Sequence, residues 1–316
     1  MKEVYIIVIA IILDFVLGDP PNWPHPIRYI GWIIKRYENL IRKQKLINLK
    51  IGGFFLTGLS IITVTFIVGG ILYLSKLIHP VVYYIVGTYL AYTSLATKCL
   101  DIETKKVYYA IKNNDIKKGR KMLSYLVGRD TETLTEKQVI RGAIETVAEN
   151  TIDGVLAPTF YLILGLYLGV PIEMVFMYKT INTLDSMVGY IQKPYRDIGY
   201  ASAKLDDMAN FIPARLGSLI MLIAGIILRY DFNNGSKMLL RDRKNHKSPN
   251  CAYPESAVAG LLNIQLGGTN TYFGETLYKP TIGDDNVTLQ NDHILKTIRI
   301  MYVSQILLGL LVLIVR

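Results

Sequence analysis

Between Glu145 and Arg215, carboxylates and amides gather at helical spacing. In Glu145-Thr-Val-Ala-Glu149-Asn150-Thr-Ile-Asp153-Gly154 the acids fall at i, i+4 and i+8, which one continuous helix would turn to one side. Acids so close repel one another, so a bound cation is the chemistry they suit. Oxygen donors favour Mg²⁺, which keeps coordination positions for phosphate and water. The same spacing also allows a plain polar helix face, paired with Arg141 or nearby lysines. Asn182-Thr-Leu-Asp185 repeats the Asn-Thr-x-Asp form of Asn150 to Asp153. Asn and Asp at such places either cap helices and turns or bind ligands. Asp206, Asp207 and Asn210 make a further i, i+4 face, on a helix expected to stop before Pro213. Arg215 follows, and its guanidinium can grip a phosphate or carboxylate with two prongs. As an alternative it anchors at the membrane surface or pairs with Asp206 or Asp207.

The elements that must position these groups are apolar. Half of the 316 residues are hydrophobic and 19% are charged, which suits a membrane protein with sizeable polar segments. Val4 to Leu17 reads as a short retained membrane helix interrupted by Asp14, an acid that needs a partner or a metal there. No small-x-small cleavage site follows it, as a signal peptide would require. Gly18 to Pro26 holds four prolines in seven residues, a stiff loop with Asp19 and His25. Ile27 to Leu46 reads as an amphipathic helix, with Trp23 and Trp32 as interfacial aromatics. Ile51 to Ser75 and Leu77 to Thr97 are uncharged and predict a tight hairpin of spans. Gly154 to Ile172, with Pro158, reads equally as a kinked or re-entrant segment and as a straight span. Phe211 to Leu228 and Ile300 to Val315 are the last apolar runs.

The pattern predicts a single all-α polytopic membrane domain over 1–316. It has about five to six membrane-embedded helices, amphipathic helices, and larger polar segments at 98–154 and 229–297. Helix starts are expected near Asp130 to Glu132 and at Thr135-Glu136. The net charge of +10 points to topology rather than nucleic acid. Segments 19–50, 98–154 and 229–297 hold 26 of the 35 Lys and Arg residues, which places them in the cytoplasm. A re-entrant 154–172 would bring 178–210 to the same side. Cys99 and Cys251 have neither zinc nor disulfide spacing. Ser248 to Ser256 reads as a second stiff loop, and Leu266-Gly267-Gly268 as a turn able to offer N–H groups to an anion. There is no P-loop, GxGxxG, HExxH or GxSxG motif.

Together these blocks resemble the adenosylcobinamide-phosphate synthase family of cobalamin biosynthesis, the CobD/CbiB family. The resemblance rests on Leu13-Asp14 to Pro20 with His25-Pro26, Glu145 to Gly154, and Tyr178 to Tyr190. Ala203 to Leu216, and Ser248-Pro249-Asn250 through Glu255 into Gly268, complete it. Two departures are local. Cys251-Ala252 stands where the family has a small residue and then Gly, and Ile152 where it has Ser.

The resemblance implies a ligase joining (R)-1-aminopropan-2-ol O-phosphate to a propionate carboxyl of adenosylcobyric acid, with ATP and Mg²⁺. It implies a metal held by Glu149, Asp153 and Asp185, with Asp14 and Asp19 near, and acid–base work by Glu145, Asp206, Asp207 and His25. Asn150, Asn182, Lys193, Arg215, Asn250 and Glu255 would bind substrate and phosphate. The expected partners are the corrinoid, the amino-alcohol phosphate, membrane lipid and other membrane-bound late cobalamin-pathway enzymes, with no nucleic acid. The expected location is the cell membrane, multi-pass, with the active site facing the cytoplasm. The rival readings are a Mg²⁺-dependent intramembrane transferase of the prenyltransferase type and a transporter whose acids couple ions.

Overall fold

In a computed structural model, residues 2–20, 23–44, 48–272 and 275–314 are described. Pro21 and Asn22 of the proline loop, Leu46, Phe273, Gly274 and Val315 lie outside them. The first half of the chain forms α1 (Lys2–Leu17), α2 (Pro26–Lys43), α3 (Leu49–Ile78), α4 (Pro80–Thr93), α5 (Thr97–Lys112), α6 (Ile116–Ser124) and α7 (Glu136–Asn150). A π-turn (Thr151–Leu156) leads into α8 (Ala157–Leu168), α9 (Pro171–Val188), α10 (Tyr200–Ala209) and α11 (Phe211–Ile227). Then come α12 (Phe232–Asp242), α13 (Ala252–Leu262), the hairpin β1 (Leu266–Tyr272) and β2 (Glu275–Ile282), and α14 (Asp292–Val312).

Local chemistry sets these boundaries. Pro26 and Pro80 open their helices at positions where a missing N–H is harmless. Asn48 caps α3 by accepting the Lys50 N–H at 2.8 Å. Thr135 and Gln138 close a capping box at the start of α7, where the sequence predicts a helix start.

Among the described residues three helical runs, Leu49–Ile78, Glu136–Leu168 and Asp292–Val312, are long and apolar enough to cross a membrane. They become four if Tyr200–Ala209 and Phe211–Ile227 count as one span. The protein is thus an all-α membrane protein. With 16 and 14 residues, α1 and α4 reach only about 24 and 21 Å, short of a hydrocarbon core of about 30 Å. The expected kink at Pro158 is replaced by the π-turn just before it, and the helix continues to Leu168.

The chain divides into two compact units. The first comprises Met1–Ala96, Pro158–Asn210 and Gly309–Arg316. Its core joins Ile6, Ile7 and Ala10 of α1 to Val68 and Leu72 of α3 and to Ile172 and Phe176 of α9. Gly53 of α3 lies against the Ile198 carbonyl, where a Cβ would collide. On the outside, α3 exposes Phe54, Phe55, Ile62, Phe66 and Leu74. A face this apolar is ill suited to water and well suited to lipid.

The second unit comprises Thr97–Ala157 and Phe211–Leu308. Here α5, α6 and α7 pack together, and α13 packs on α7, α11 and α12. Gly225 of α11 lies directly under Leu261 of α13. The 229–297 segment, expected to be a polar loop, is largely structured. The stiff loop expected at Ser248 to Ser256 turns into α13 at Ala252. The antiparallel hairpin pairs Gly268 with Lys279 and carries a bulge between Leu266 and Gly268.

Candidate active site

In the second unit the sequence motif Glu145 to Asp153 straddles the end of α7. Glu145 is 5% exposed. Its Oε2 accepts from Arg129 Nη2 at 2.9 Å and its Oε1 from the Gly267 N–H at 2.9 Å. Arg141 Nε stands 3.7 Å away, and Arg141 Nη2 donates to the Thr269 carbonyl at 3.0 Å. The Gly267 N–H that the sequence offers to an anion therefore meets the protein's own carboxylate. One acid and two arginines fasten the loop before α7, α7 itself and the hairpin to one another.

One turn on, Glu149 Oε1 accepts from Cys251 Sγ at 3.0 Å. Asp153 lies within the π-turn, so the α-helical register expected to run from Glu145 to Asp153 ends at Asn150. π-turns of this kind recur at functional sites. Gly217 of α11 packs on this turn, and a Cβ there would come within 2.5 Å of Ile152 Cδ1. Burial pushes the Cys251 thiol up, and the charges of Glu149, Asp153 and Glu255 add to the effect. Of the three, Glu149 touches the thiol directly.

Glu255, in the first turn of α13, is 2% exposed. Burial first, then the charge of Glu145, raises its carboxyl to about 8, with Lys279 opposing and Glu149 adding to the rise. Burial, helped by Lys279, holds His246 below its usual range. A cleft of about 130 Å³ opens among these groups, lined in part by Arg129, Glu145, Glu149, Asn150, Glu255 and Lys279. The Asn150 amide is turned to its own helix, donating to the Thr146 carbonyl at 3.0 Å. Arg215 Nη1 donates to Asn250 Oδ1 at 2.8 Å and to the Phe211 carbonyl at 2.7 Å. Its guanidinium sits 3.5 Å from the Phe211 ring centre and 4.3 Å from that of Tyr253. Arg215 and Asn250 thus join α11 to the start of α13.

The first unit holds the other predicted residues. Asp206 on α10 accepts from Asn182 Nδ2 at 3.4 Å and from Asn210 Nδ2 at 3.1 Å. Asn210 in turn accepts from Tyr178 OH at 2.9 Å, and the Tyr178 ring stacks on Tyr161 at 4.8 Å. Asp207 pairs with Lys204 at 3.4 Å. The carboxylate of Asp185 lies over Gly189, where a Cβ would overlap it. Lys193 is exposed between α9 and α10. Asp14 is 1% exposed on α1, and Asp19 lies 3.3 Å from His25 Nε2.

Among the described residues no group of three or more His, Cys, Asp and Glu side chains is arranged to hold a metal ion. Mg²⁺ that arrives with phosphates needs only one or two carboxylates from the protein. Glu149 and Asp153 offer that donor type, beside a cleft whose crowded acids a cation would relieve. Sequence reasoning missed Arg129 and Lys279. The turn Val127-Gly128-Arg129 before α7 was the available signal for the first. For Lys279 no local pattern before Pro280 gives a signal.

The model of the CobD/Cbib protein family matches residues 7–301. A Clostridium tetani protein named Cobalamin biosynthesis protein CobD is 46% identical, over 96% of this chain and 94% of its own length. Its namesake in Clostridium acetobutylicum is 47% identical, over 95% and 94%. The Cobalamin biosynthesis protein CbiB of Salmonella paratyphi B is 44% identical, over 95% and 93%. No solved structure matches the chain.

Proposed function

The chain belongs to the CobD/CbiB family of cobalamin biosynthesis proteins, and from that premise we propose that it is an ATP-dependent, amide-forming ligase. Its reaction joins the amine of (R)-1-aminopropan-2-ol O-phosphate to a propionate carboxyl of adenosylcobyric acid. A carboxylate is a poor acyl donor. The carboxylate takes the γ-phosphoryl group of ATP, whose bond to the β-phosphate breaks to release ADP. The amine nitrogen then forms the C–N bond as the acyl C–O bond breaks and phosphate leaves, and the amine's surplus proton passes to a base.

The observation that carries this reading is the cleft of mixed charge in the second unit, where Glu149 and Glu255 face Lys279 and Arg129. Ligation of phosphate-bearing reactants needs both signs of charge at short range. Mg²⁺, when bound, would neutralise charge on the phosphoryl oxygens. Glu149 and Asp153 are the residues that would hold it, and Asp185, Asp14 and Asp19 are the first unit's carboxylates of the same donor type. Glu145 is engaged by Arg129 and Gly267, which suits positioning better than proton transfer. Asp206, Asp207 and His25 are first-unit groups able to accept a proton. The concentration of Lys and Arg in 19–50, 98–154 and 229–297 supports a cell-membrane protein working on the cytoplasmic side.

The test is a mass-spectrometric assay of the purified protein with adenosylcobyric acid, ATP, Mg²⁺ and the amino-alcohol phosphate. The expected result is an ATP-dependent corrinoid of the mass of adenosylcobinamide phosphate. Unchanged adenosylcobyric acid under all conditions would overturn the assignment.

A further inference from the structure

Two kinds of side chain interleave on the outward face of α2, in the first unit. Tyr29, Trp32 and Leu40 are each more than half exposed, and Arg28, Arg36 and Lys43 stand exposed beside them. Arg28, Trp32, Arg36 and Leu40 follow one another at i, i+4 spacing, so they share one side of the helix. The Arg36 guanidinium lies 5.6 Å from the centre of the Trp32 ring. The opposite side of α2 packs inward. Ile30 and Ile34 are buried there, and the Tyr37 and Thr63 hydroxyls share a hydrogen bond of 2.9 Å that ties α2 to α3.

Charge on α2 is unbalanced. The helix holds Arg28, Lys35, Arg36, Arg42 and Lys43 against a single acid, Glu38. Glu38 is 3% exposed, and its carboxylate accepts from Lys35 Nζ at 2.9 Å and from Arg42 Nε at 2.7 Å. Among the described residues these are the ion pairs that α2 makes. Arg28, Arg36 and Lys43 therefore present net positive charge outward.

Position separates the partners this face could take. It is held beside α3, a helix long and apolar enough to cross a membrane, whose Phe54, Phe55 and Ile62 are themselves exposed. Cations interleaved with tryptophan and tyrosine next to such a helix have the composition of the headgroup boundary. Aromatic rings settle there among the headgroups, and Lys and Arg meet phosphate. An acidic soluble protein would answer the charge but leave the apolar residues of α3 uncovered.

We propose that the outward face of α2 binds anionic phospholipid, with phosphates held by Arg28, Arg36 and Lys43 and the Trp32 and Tyr29 rings set among the headgroups. The site is independent of the ligase reading, and it fastens the first unit to a negatively charged leaflet.

The chain has two tryptophans, so Trp23→Phe leaves Trp32 as the one indole reporter. The full-length protein with that change is reconstituted in vesicles of equimolar phosphatidylcholine and phosphatidylglycerol, the acyl chains of one lipid or the other being brominated. Quenching of Trp32 fluorescence reports which lipid lies against α2. Phosphatidylglycerol is expected to be preferred about fivefold or more, the effect of a single Lys or Arg near an anionic surface. Arg28→Gln, Arg36→Gln and Lys43→Gln together bring the preference below about twofold, while Arg28→Lys with Arg36→Lys keeps it, because the charge is kept. Circular dichroism checks that each variant is folded. Equal quenching by the two lipids overturns the proposal, as does a folded triple variant that retains the preference. Quenching by neither lipid also overturns it, and gives this face to a protein partner or a second copy of the chain.

Discussion

Arg129 Nη2 and Glu145 Oε2 stand 2.9 Å apart, with side chains only 4% and 6% exposed. Removing one partner of such a pair strands a buried charge. Arg129→Met is therefore expected to destabilise the protein by about 3–5 kcal/mol. Glu145→Gln should also destabilise it, since it leaves Arg129 without its carboxylate. The double variant Arg129→Met with Glu145→Gln should lose less than the sum of the two. Thermal unfolding of the detergent-solubilised protein measures all three. A wild-type midpoint for Arg129→Met would show that the pair is incidental.

The pH dependence of stability follows from Glu255. Its carboxyl is raised to about 8, chiefly by burial and then by Glu145, whereas an unfolded Glu titrates near about 4.3. Between those values the folded protein holds a proton that the unfolded chain has lost. The contribution is present in full below the unfolded value and is lost as pH rises through the folded one. Asp242 runs the other way. Burial raises it, but Arg241 and the Gly283 N–H more than offset that and hold it low, so its contribution is lost in acid. The unfolding midpoint should therefore drop between about pH 4.5 and pH 8 and level off above that, and Glu255→Gln should flatten that drop. An unchanged slope in the variant would remove Glu255 as its source.

The hairpin depends on a left-handed backbone at Gly267, where φ is +78° and a Cβ would collide with the Pro280 carbonyl. The same residue donates its N–H to Glu145. Gly267→Ala is expected to cost about 1–3 kcal/mol. Gly268→Ala should cost less, although φ there is +84°, because its Cβ would meet only the flexible Arg141 side chain at 3.1 Å. Comparing unfolding midpoints decides the order, and a larger loss at Gly268 would contradict it.

What could be read in the sequence was local. The start of α7 lies in Thr135 and Gln138 themselves, three residues apart, and the apolar run of α3 declares itself by length. The acids of the site also stand out, because charge beside lipid is costly. The π-turn is different. It rests on packing of α11 through Gly217, and nothing between Thr151 and Leu156 announces it. Arg129 and Gly267 meet Glu145 across 16 and 122 positions of sequence, so their partnership has no local pattern. The Ser248 to Ser256 stretch misled because Pro254 reads as a breaker, yet it sits in the first turn of α13, where a proline is tolerated.

Glu149 and Asp153 separate function from folding more cleanly than Glu145 does. Glu149 is partly exposed, and its described hydrogen bond is accepted from the Cys251 thiol. Asp153, also partly exposed, lies in the π-turn. Truncating either leaves the Arg129–Glu145–Gly267 fastening intact. If these carboxylates stabilise charge that develops on phosphoryl oxygens, Glu149→Ala and Asp153→Ala should each reduce amide synthesis by at least about 10²–10³-fold. Both proteins should still resist alkaline extraction from membranes and unfold near the wild-type temperature. Glu145→Ala should instead lower activity and the unfolding midpoint together. Near-wild-type synthesis by a folded Glu149→Ala or Asp153→Ala protein would move the chemistry away from this end of α7.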